Sequence, residues 1–405
     1  MYKGKKVLVF GLGRQGGGVG DAKWLKQNGA IVRVSDQDLG LCSEGQTREQ
    51  IDWAEIIIKN PGVSDDHELI LYAKSKGTPV FTSIALFVKY CPIKTIGVTG
   101  TRGKSTTVAL ISAILEKVYP GQIISGGNIP GTSCLSLFDQ TKGKKYAVLE
   151  LSSFQLHNFH DLRLSPNYAL LTNIYPDHLN RYQDMASYQR DKQAIYLYQK
   201  PSDYYVEFPD PQTVGDWETP LPGLHNRQNI AGAWGLLSHL GISESIARFV
   251  VAEFKGLPFR LETIANVGGV TYINDTTSTT PTAAIYALKA AVSPIIWITG
   301  GDTKNLPFDE LITEIKNNPL LKKIVILGSK NIPDYTGELE RITGDKIIGT
   351  ADSMSQAIGM AQSHAESGDN ILLSPGFASF DLFQNEFDRG RQFNDIVKQL
   401  SSSRA

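Results

Sequence analysis

The chain has 405 residues and a nearly balanced charge, with 40 Lys and Arg against 41 Asp and Glu and a formal net charge of −1. This length exceeds what one ordinary core accommodates and predicts two to four domains. The charge balance gives no electrostatic case for a nucleic-acid or membrane-surface partner. The three cysteines are too few for a disulfide framework, and no segment approaches the roughly 20 apolar residues that span a bilayer. We therefore expect a cytoplasmic, multidomain enzyme that acts on small molecules.

Strand-like runs of apolar and β-branched residues recur along the chain, with helical stretches between them. Because these runs are apolar on both faces, they predict buried parallel strands in α/β domains. The predicted strands are residues 6–10, 31–35, 56–59, 80–82, 93–98, 147–151, 168–173, 295–299, 323–327 and 370–374. Turn-forming Pro and Gly near positions 92 and 257 predict three domains, 1–92, 93–257 and 258–405. Residues 201–222 hold five prolines, which we interpret as an irregular connection.

The first predicted strand runs into a glycine-rich turn that contains Gly11, Gly13, Arg14, Gln15 and Gly16. The spacing G-x-G-x-x-G is that of dinucleotide-binding turns, and Asp36 follows at the end of the next strand. An NAD-dependent oxidoreductase is one interpretation. Because a second phosphate loop follows, we favour binding of a nucleotide or diphosphate group without redox chemistry.

The segment 97–106, GVTGTRGKST, lies between a predicted strand and a predicted helix. We interpret it as a phosphate loop of the G-x-x-x-x-G-K-[ST] type, whose backbone N–H groups surround the phosphates of a nucleoside triphosphate. Lys104 then reaches the β- and γ-phosphates, and the Ser105 hydroxyl is placed to bind Mg²⁺. The predicted ATP contacts in this loop are Gly100, Thr101, Gly103, Lys104, Ser105 and Thr106.

Glu150 and His178 each lie at the C-terminal end of a predicted strand. Since ligands bind at the carboxyl edge of parallel sheets, both side chains are expected near the triphosphate, with Glu150 as an oxygen ligand of Mg²⁺ and His178 completing the site. The alternative is structural, with Glu150 as a helix N-cap and His178 as a loop histidine. His157 and His160 have no third metal ligand nearby in sequence, and we interpret them as surface histidines.

Together these segments resemble a known family, the Mur ligases of peptidoglycan synthesis, over essentially the whole chain. The matching motifs are residues 97–107, Glu150-Leu151-Ser152-Ser153, Asn173 with Asp177-His178-Leu179, residues 223–229 (GLHNRQN), Phe259-Arg260-Leu261-Glu262, Ile273-Asn274-Asp275, Gly300-Gly301-Asp302-Thr303-Lys304, and residues 373–390. Within the family the similarity is greatest to members that add D-glutamate to UDP-N-acetylmuramoyl-L-alanine.

The resemblance implies an ADP-forming ligase with three domains: a Rossmann-like N-terminal domain, a central P-loop ATPase domain with a parallel sheet, and a Rossmann-like C-terminal domain. It implies that ATP phosphorylates the carboxylate of the UDP-linked substrate and that the amine of D-glutamate attacks the acyl phosphate. ATP and two Mg²⁺ ions are the implied cofactors, and we expect a monomer.

The resemblance also implies roles for single residues. Lys104, Glu150, His178 and Lys192 would be catalytic, and Lys192, once carbamylated, would join Ser105, Glu150 and His178 as a metal ligand. The implied nucleotide contacts in the later part of the chain are Asn226, Asn229, Arg260 and Asp275. The implied contacts with the UDP-substrate are Gly11, Gly13, Arg14, Gln15, Asp36, Asn128 and Ser152. The implied amino-acid contacts are Thr279, Lys304 and Ser379.

Two residues depart from the family pattern: Thr277 stands where a lysine is common, and Glu386 where an aromatic residue is common. Two further interpretations stay open beside the D-glutamate ligase. One is a related ligase with another amino acid or acceptor, such as another Mur ligase or a folylpolyglutamate synthetase. The other is a non-catalytic sensor of ATP and a UDP-sugar.

Overall fold

A computed structural model of the chain describes residues 2–13, 16–38, 40–129, 132–177, 182–301, 306–328, 339, 341, 346–379 and 382–404. The chain divides into two compact units. The first unit comprises Met1–Glu218 and Gln228–Ala252, and the second comprises Thr219–Arg227 and Glu253–Ala405.

The N-terminal sheet of the first unit is parallel and has the strand order β2-β1-β3-β4. Its strands are β1 (Lys6–Phe10), β2 (Ile31–Ser35), β3 (Ile56–Lys59) and β4 (Val80–Phe81), and its helices are α1 (Gly17–Gln27), α2 (Arg48–Trp53), α3 (Glu68–Ser75) and α4 (Ser83–Tyr90). Successive side chains of β1 point into two different cores. Val7 and Val9 belong to one core, and Leu8 and Phe10 belong to the other. This alternation is expected for a strand that is covered on both faces.

The central sheet of the first unit is also parallel, with the order β6-β7-β5-β8-β9. Its strands are β5 (Lys94–Thr99), β6 (Ile123–Gly127), β7 (Tyr146–Glu150), β8 (Tyr168–Leu171) and β9 (Tyr204–Glu207). The helices that follow are α5 (Lys104–Val118), α6 (Ser153–Leu162), α7 (Met185–Leu197), α8 (Leu224–His239) and α9 (Glu244–Glu253), with 3₁₀ turns at Leu135–Gln140 and Pro211–Val214. The expectation of an irregular connection over residues 201–222 is wrong in part, because β9 pairs with β8 there.

Hydrogen bonds join the two sheets of the first unit. The Asp21 carboxylate on α1 accepts from the Ser133 hydroxyl at 2.5 Å and from the Leu135 N–H at 3.2 Å, and Trp24 Nε1 donates to Asp139 at 3.0 Å. Helix α4 also packs into the core of the central sheet. The predicted boundary at position 92 falls within this unit and stays a prediction.

The second unit contains a mixed sheet with the order β10-β11-β15-β12-β13-β14, in which β10 and β11 form an antiparallel pair and the other pairings are parallel. Its strands are β10 (Glu262–Val267), β11 (Val270–Asn274), β12 (Ile295–Thr299), β13 (Leu321–Leu327), β14 (Ile347–Ala351) and β15 (Asn370–Leu373). The helices are α10 (Pro281–Lys289), α11 (Asp309–Asn317), α12 (Met354–Ser363) and α13 (Glu386–Arg404). Among the described residues, no helix combines the length and apolar character that crossing a membrane requires.

Candidate active site

A tight loop joins β5 to α5 at the carboxyl edge of the central sheet. Gly100 and Gly103 have φ angles of 150° and 84°, which only glycine adopts without strain. A Cβ atom at Gly100 would collide with the Thr172 side chain, and one at Gly103 with the side chain of Asn229. Both positions therefore require glycine, and Asn229 lies directly against the loop as the first turn of α5 begins.

One detail of the predicted loop is wrong. Five residues rather than four separate Gly97 from Gly103, and Gly97 lies inside β5. A Cβ atom there would collide with Pro166 and press on Leu151, so Gly97 serves strand packing. The glycines that shape the phosphate loop are Gly100 and Gly103.

The residues that follow β8, together with Tyr188 on α7, form hydrogen bonds with the phosphate loop. The Thr101 N–H donates to Asn173 O at 2.9 Å, and the Arg102 N–H donates to Asn173 Oδ1 at 2.8 Å. The Thr172 hydroxyl donates to Arg102 O at 2.6 Å, and Thr101 Oγ1 lies 3.0 Å from the Tyr188 hydroxyl on α7. These bonds to two neighbouring elements fix the loop backbone before any nucleotide binds, which is the preorganisation that anion binding needs.

Two lysine side chains converge on one carbonyl oxygen. Lys104 Nζ donates to Gly100 O at 2.9 Å and to Thr101 O at 3.0 Å, while Lys192 Nζ on α7 donates to Gly100 O at 2.8 Å. Lys192 is 2% exposed and lies 4.6 Å from the centroid of the Tyr188 ring. Burial, followed by the charge of Lys104, lowers the pKa of Lys192 well below its ordinary value. A positive charge on Lys192 is therefore electrostatically unfavourable.

Glu150 is the last residue of β7 and is buried. Its Oε1 accepts from Asn128 Nδ2 at 3.3 Å, and its backbone oxygen accepts from the Asn128 N–H at 2.8 Å. The structural alternative for Glu150 is wrong, since the N-cap of α6 is Ser152, which forms a capping box with Gln155. His178 lies outside the described residues, so its expected role stays a prediction.

A cavity of about 490 Å³ lies between the glycine turn after β1 and the ends of β6 and β7. Four residues predicted to contact the UDP-substrate line it: Gly11, Gly13, Asn128 and Ser152. Lys59, Asn60 and Asp21 also line it, although the sequence interpretation passed over them. The chemical signal that was available is the polar Lys59-Asn60 pair at the end of β3, at the same sheet edge as the glycine turn.

Asp36 stabilises the glycine turn by accepting hydrogen bonds from its backbone. Its Oδ2 accepts from the Leu12 N–H at 2.6 Å and from the Gly13 N–H at 3.3 Å, and its Oδ1 accepts from the Asp38 N–H at 2.9 Å. Burial alone would raise the pKa of Asp36, but these backbone bonds outweigh it and lower the pKa. The structure does not bring Asp36 into the cavity lining. Arg14 and Gln15 lie outside the described residues.

The two histidines that we interpreted as surface residues are bonded to neighbouring elements. His157 Nδ1 lies 2.9 Å from Asp191 Oδ2, and its Nε2 lies 3.5 Å from Asp65 Oδ2. The His160 side chain is 12% exposed and contacts the Tyr198 hydroxyl at 2.8 Å. The hydrogen bond to Asp191 is the largest cause that raises the pKa of His157, whereas burial lowers that of His160. The surface interpretation of His160 is therefore wrong.

In the second unit, Asp275 follows β11 and is buried. Its carboxylate accepts from Ser374 Oγ at 2.9 Å, from the Leu261 N–H at 3.1 Å and from Ser278 Oγ. Burial raises the pKa of Asp275 to about 6, against the lowering effects of these bonds and of Arg260. The hydrogen bonds of Asp275 tie it to the loop that carries Arg260.

The other predicted site residues of the second unit are dispersed, with Asn226 in the first turn of α8 and Thr279 and Ser379 in loops. Asn226 Nδ2 donates to Pro222 O at 2.8 Å, and Thr279 is half-buried after β11. Ser379 is buried beyond β15. Lys304 lies outside the described residues.

Comparisons with known proteins agree with this architecture. The family model described as Mur ligase middle domain matches residues 98–216, and the one described as Mur ligase, glutamate ligase domain matches residues 259–377. A protein of Roseiflexus sp. (strain RS-1) named UDP-N-acetylmuramoylalanine--D-glutamate ligase is 32% identical over 466 residues, covering 98% of this chain and 99% of the relative. The protein of the same name from Christiangramia forsetii is also 32% identical, covering 98% of this chain and all of the relative.

Solved structures share the fold at lower identity. MurF ligase from Thermotoga maritima, in complex with ADP, is 18% identical with a TM-score of 0.62, covering 100% of this chain and 96% of that one. MurC from Thermotoga maritima is 16% identical with a TM-score of 0.61, covering 98% of this chain and 100% of that one. With two family models matched and full-length relatives above 30% identity, the chain belongs to the Mur ligase family.

Proposed function

We propose that this chain is an ATP-dependent ligase that joins D-glutamate to UDP-N-acetylmuramoyl-L-alanine, a cytoplasmic step of peptidoglycan synthesis. The observation that carries the proposal is the Asn128–Glu150 hydrogen bond. Asn128 lines the cavity assigned to the UDP-substrate, and Glu150 ends the strand beside the phosphate loop. The bond supports a site in which the carboxylate of the UDP-substrate approaches the γ-phosphate of ATP.

The proposed reaction has two displacements. A carboxylate oxygen of the UDP-substrate attacks the γ-phosphorus, the bond to the β-phosphate oxygen breaks, and ADP leaves. The amine of D-glutamate then attacks the carbonyl carbon of the acyl phosphate, phosphate leaves, and the amine loses a proton. Lys104 and the N–H groups of the loop stabilise the charge that develops on the phosphoryl oxygens, so that catalysis rests mainly on positioning and electrostatics.

The described residues fit Mg²⁺ in part. The Ser105 hydroxyl and the Glu150 carboxylate supply the hard oxygen atoms that this ion prefers, whereas the Lys192 ammonium would repel it. A carbamate on Lys192 would replace that positive charge by carboxylate oxygens, and we propose this modification together with two Mg²⁺ ions. When bound, Mg²⁺ neutralises charge on the β- and γ-phosphates. We further propose a monomer without nucleic-acid or membrane partners.

Isotope transfer tests the acyl phosphate directly. When both carboxylate oxygens of the UDP-substrate are labelled with ¹⁸O, the released phosphate should carry one labelled oxygen. Lys104→Ala should abolish this release because the phosphates lose their nearest cation, while Lys117→Ala, at the other end of α5, should retain it. Unlabelled phosphate from the wild-type chain would reject the mechanism.

A further inference from the structure

Among the described residues, a buried arginine of the second unit donates hydrogen bonds only to uncharged groups. Arg389 lies on α13 and is 1% exposed. Its Nε donates to Thr276 Oγ1 at 3.0 Å, and its Nη2 donates to Thr276 O at 2.9 Å. Both terminal nitrogens also donate to Phe377 O at 3.3 Å. Among the described residues, no carboxylate forms a salt bridge with this guanidinium.

In the described part of the chain, the charge of Arg389 is thus compensated only at a distance, by Glu386. Burial lowers the pKa of Arg389 to about 9, and the charge of Glu386, one turn earlier on α13, opposes that effect. The guanidinium is therefore protonated at neutral pH. A buried cation without an ion-pair partner is energetically costly unless an anion joins it.

A small cavity beside Arg389 has room for one oxygen atom of such an anion. It measures about 10 Å³ and is lined by Gly300, Gly301, Ser379 and Arg389, among others. This is about the space of one water-sized oxygen atom. The buried Ser379 hydroxyl has no hydrogen-bond partner among the described residues, although buried hydroxyls normally have one.

Two glycines let the backbone close around this space. Gly300 and Gly301 follow β12 with φ angles of 128° and 136°. A Cβ atom on Gly300 would collide with Leu327 O, and one on Gly301 with Ala378 O. Arg389 meanwhile ties Thr276, beyond β11, to Phe377, beyond β15, so the loops of three neighbouring strands meet at the carboxyl edge of the sheet. Ligands bind at this edge in parallel sheets.

We propose that Arg389 is a positioning residue for the amino-acid substrate: it fixes the loops after β11 and β15, and its charge attracts a substrate carboxylate oxygen to the Ser379 hydroxyl. The inference deepens the proposed function and rests on it for the identity of the amino acid. It adds the source of positive charge at this end of the site and the reason why that charge has no carboxylate partner among the described residues.

Calorimetric titration of the full chain with D-glutamate, in the presence of ADP, Mg²⁺ and the UDP-substrate, tests the inference. Arg389→Gln should weaken D-glutamate binding about tenfold or more, since it removes the buried charge that attracts the carboxylate, and it should lower the affinity for ADP much less. Arg389→Lys keeps the charge but not the planar fork and should show an intermediate loss. Arg391→Gln, an exposed arginine two residues along the same helix, is the matched control and should bind as the wild type does.

Unchanged D-glutamate affinity in Arg389→Gln would overturn the inference, as would an equal loss of ADP affinity, an equal loss in Arg391→Gln, or a wild-type chain that does not bind D-glutamate. If Arg389→Gln does not fold, unchanged affinity in Arg389→Lys overturns it instead. Different results would reject the proposed function and the inference about Arg389. Arg389-dependent binding without D-glutamate-dependent turnover would reject the proposed function alone, and turnover with unchanged affinity in Arg389→Gln would reject this inference alone.

Discussion

Two amines that share one acceptor determine the charge at the phosphate loop. Lys104 and Lys192 both donate to Gly100 O, and Lys192 is almost fully buried. The phosphates of ATP account for the charge of Lys104. They do not account for a second buried amine next to it, unless that amine is modified or moves when the nucleotide binds.

Replacement of Lys192 should distinguish a carbamate from an ordinary lysine. Lys192→Ala is expected to lose most ligase activity, and added acetate or another short carboxylate should restore part of it by supplying the missing oxygens. Phosphate release is the measurement, with the exposed Lys200→Ala as the control. Loss of activity without any rescue would contradict the carbamate and leave the phosphate loop assignment intact.

Asp275 should make the second unit less stable as the pH rises. Its folded-state pKa of about 6, raised first by burial, lies above the unaltered value of 3.8, so folding favours the neutral acid. This contribution is fully present below about pH 3.8 and is lost as the pH rises through 6. Asp275→Asn, which stays neutral, should therefore gain up to about 3 kcal/mol over the wild type between pH 4 and pH 7. Urea unfolding at the two pH values measures this difference, and a difference that does not change with pH would contradict it.

At the residue scale, the sequence was informative where one short segment contains the whole signal. Lys104 and Ser105 were predicted from a loop between a strand and a helix, and Glu150 from its place at the end of a strand. Lys59 was passed over although it ends a predicted strand, whereas Asp21 and Arg389 could not be found in that way. Their partners, such as Ser133 for Asp21 and Phe377 for Arg389, come from other elements of the fold, so no local pattern marks them.

At the scale of elements, the start of α6 combines a structural and a proposed substrate role. Ser152 Oγ accepts from the Gln155 N–H at 3.4 Å, and Gln155 Oε1 accepts from the Ser152 N–H at 2.9 Å. Ser152 also lines the 490 Å³ cavity. A second capping box, formed by Thr47 and Gln50 at the start of α2, has no residue among those that line the cavity.

The two capping boxes allow a matched comparison. Ser152→Ala and Thr47→Ala should each lower the free energy of unfolding by about 1 kcal/mol, because each removes an N-cap. Only Ser152→Ala should also raise the KM for the UDP-substrate, with the KM for ATP unchanged. Thermal unfolding and steady-state kinetics provide the two measurements. An equal KM increase in both variants would show that the effect comes from lost stability rather than lost contact.

The predicted elements succeeded where strands are apolar on both faces. The bounds predicted for β1, β2, β3 and β12 agree with the structure. Strands β4, β8, β13 and β15 differ by one or two residues at one end, and β5 and β7 are shifted by one residue. Strands β6, β9, β10, β11 and β14 were not predicted. β6 ends in glycines and β9 lies in the proline-rich segment, and neither has the continuous apolar run on which the prediction relied. β10 and β11 form an antiparallel pair whose partly exposed faces weaken the same signal.

At the scale of the whole molecule, the predicted sites belong to both compact units. The phosphate loop, Glu150, Lys192 and the cavity beside Asn128 belong to the first unit, whereas Asp275, Thr279 and Ser379 belong to the second. The sequence alone supplied the family through motifs spread over the whole chain, and full-length relatives agree with it. Amino-acid specificity is the least constrained part, because Thr277 and Glu386 depart from the family pattern and Lys304 lies outside the described residues.

The most direct test of the central claim is phosphate release from ATP with Mg²⁺ and UDP-N-acetylmuramoyl-L-alanine, compared across D-glutamate, L-glutamate, D-lysine and a diamino acid. We predict release that depends on D-glutamate, which would show that Thr277 and Glu386 are compatible with this substrate. Release that requires one of the other amino acids would contradict the assigned specificity while retaining the ligase mechanism. No release with any of the four would contradict the ligase itself and favour a sensor of ATP and a UDP-sugar.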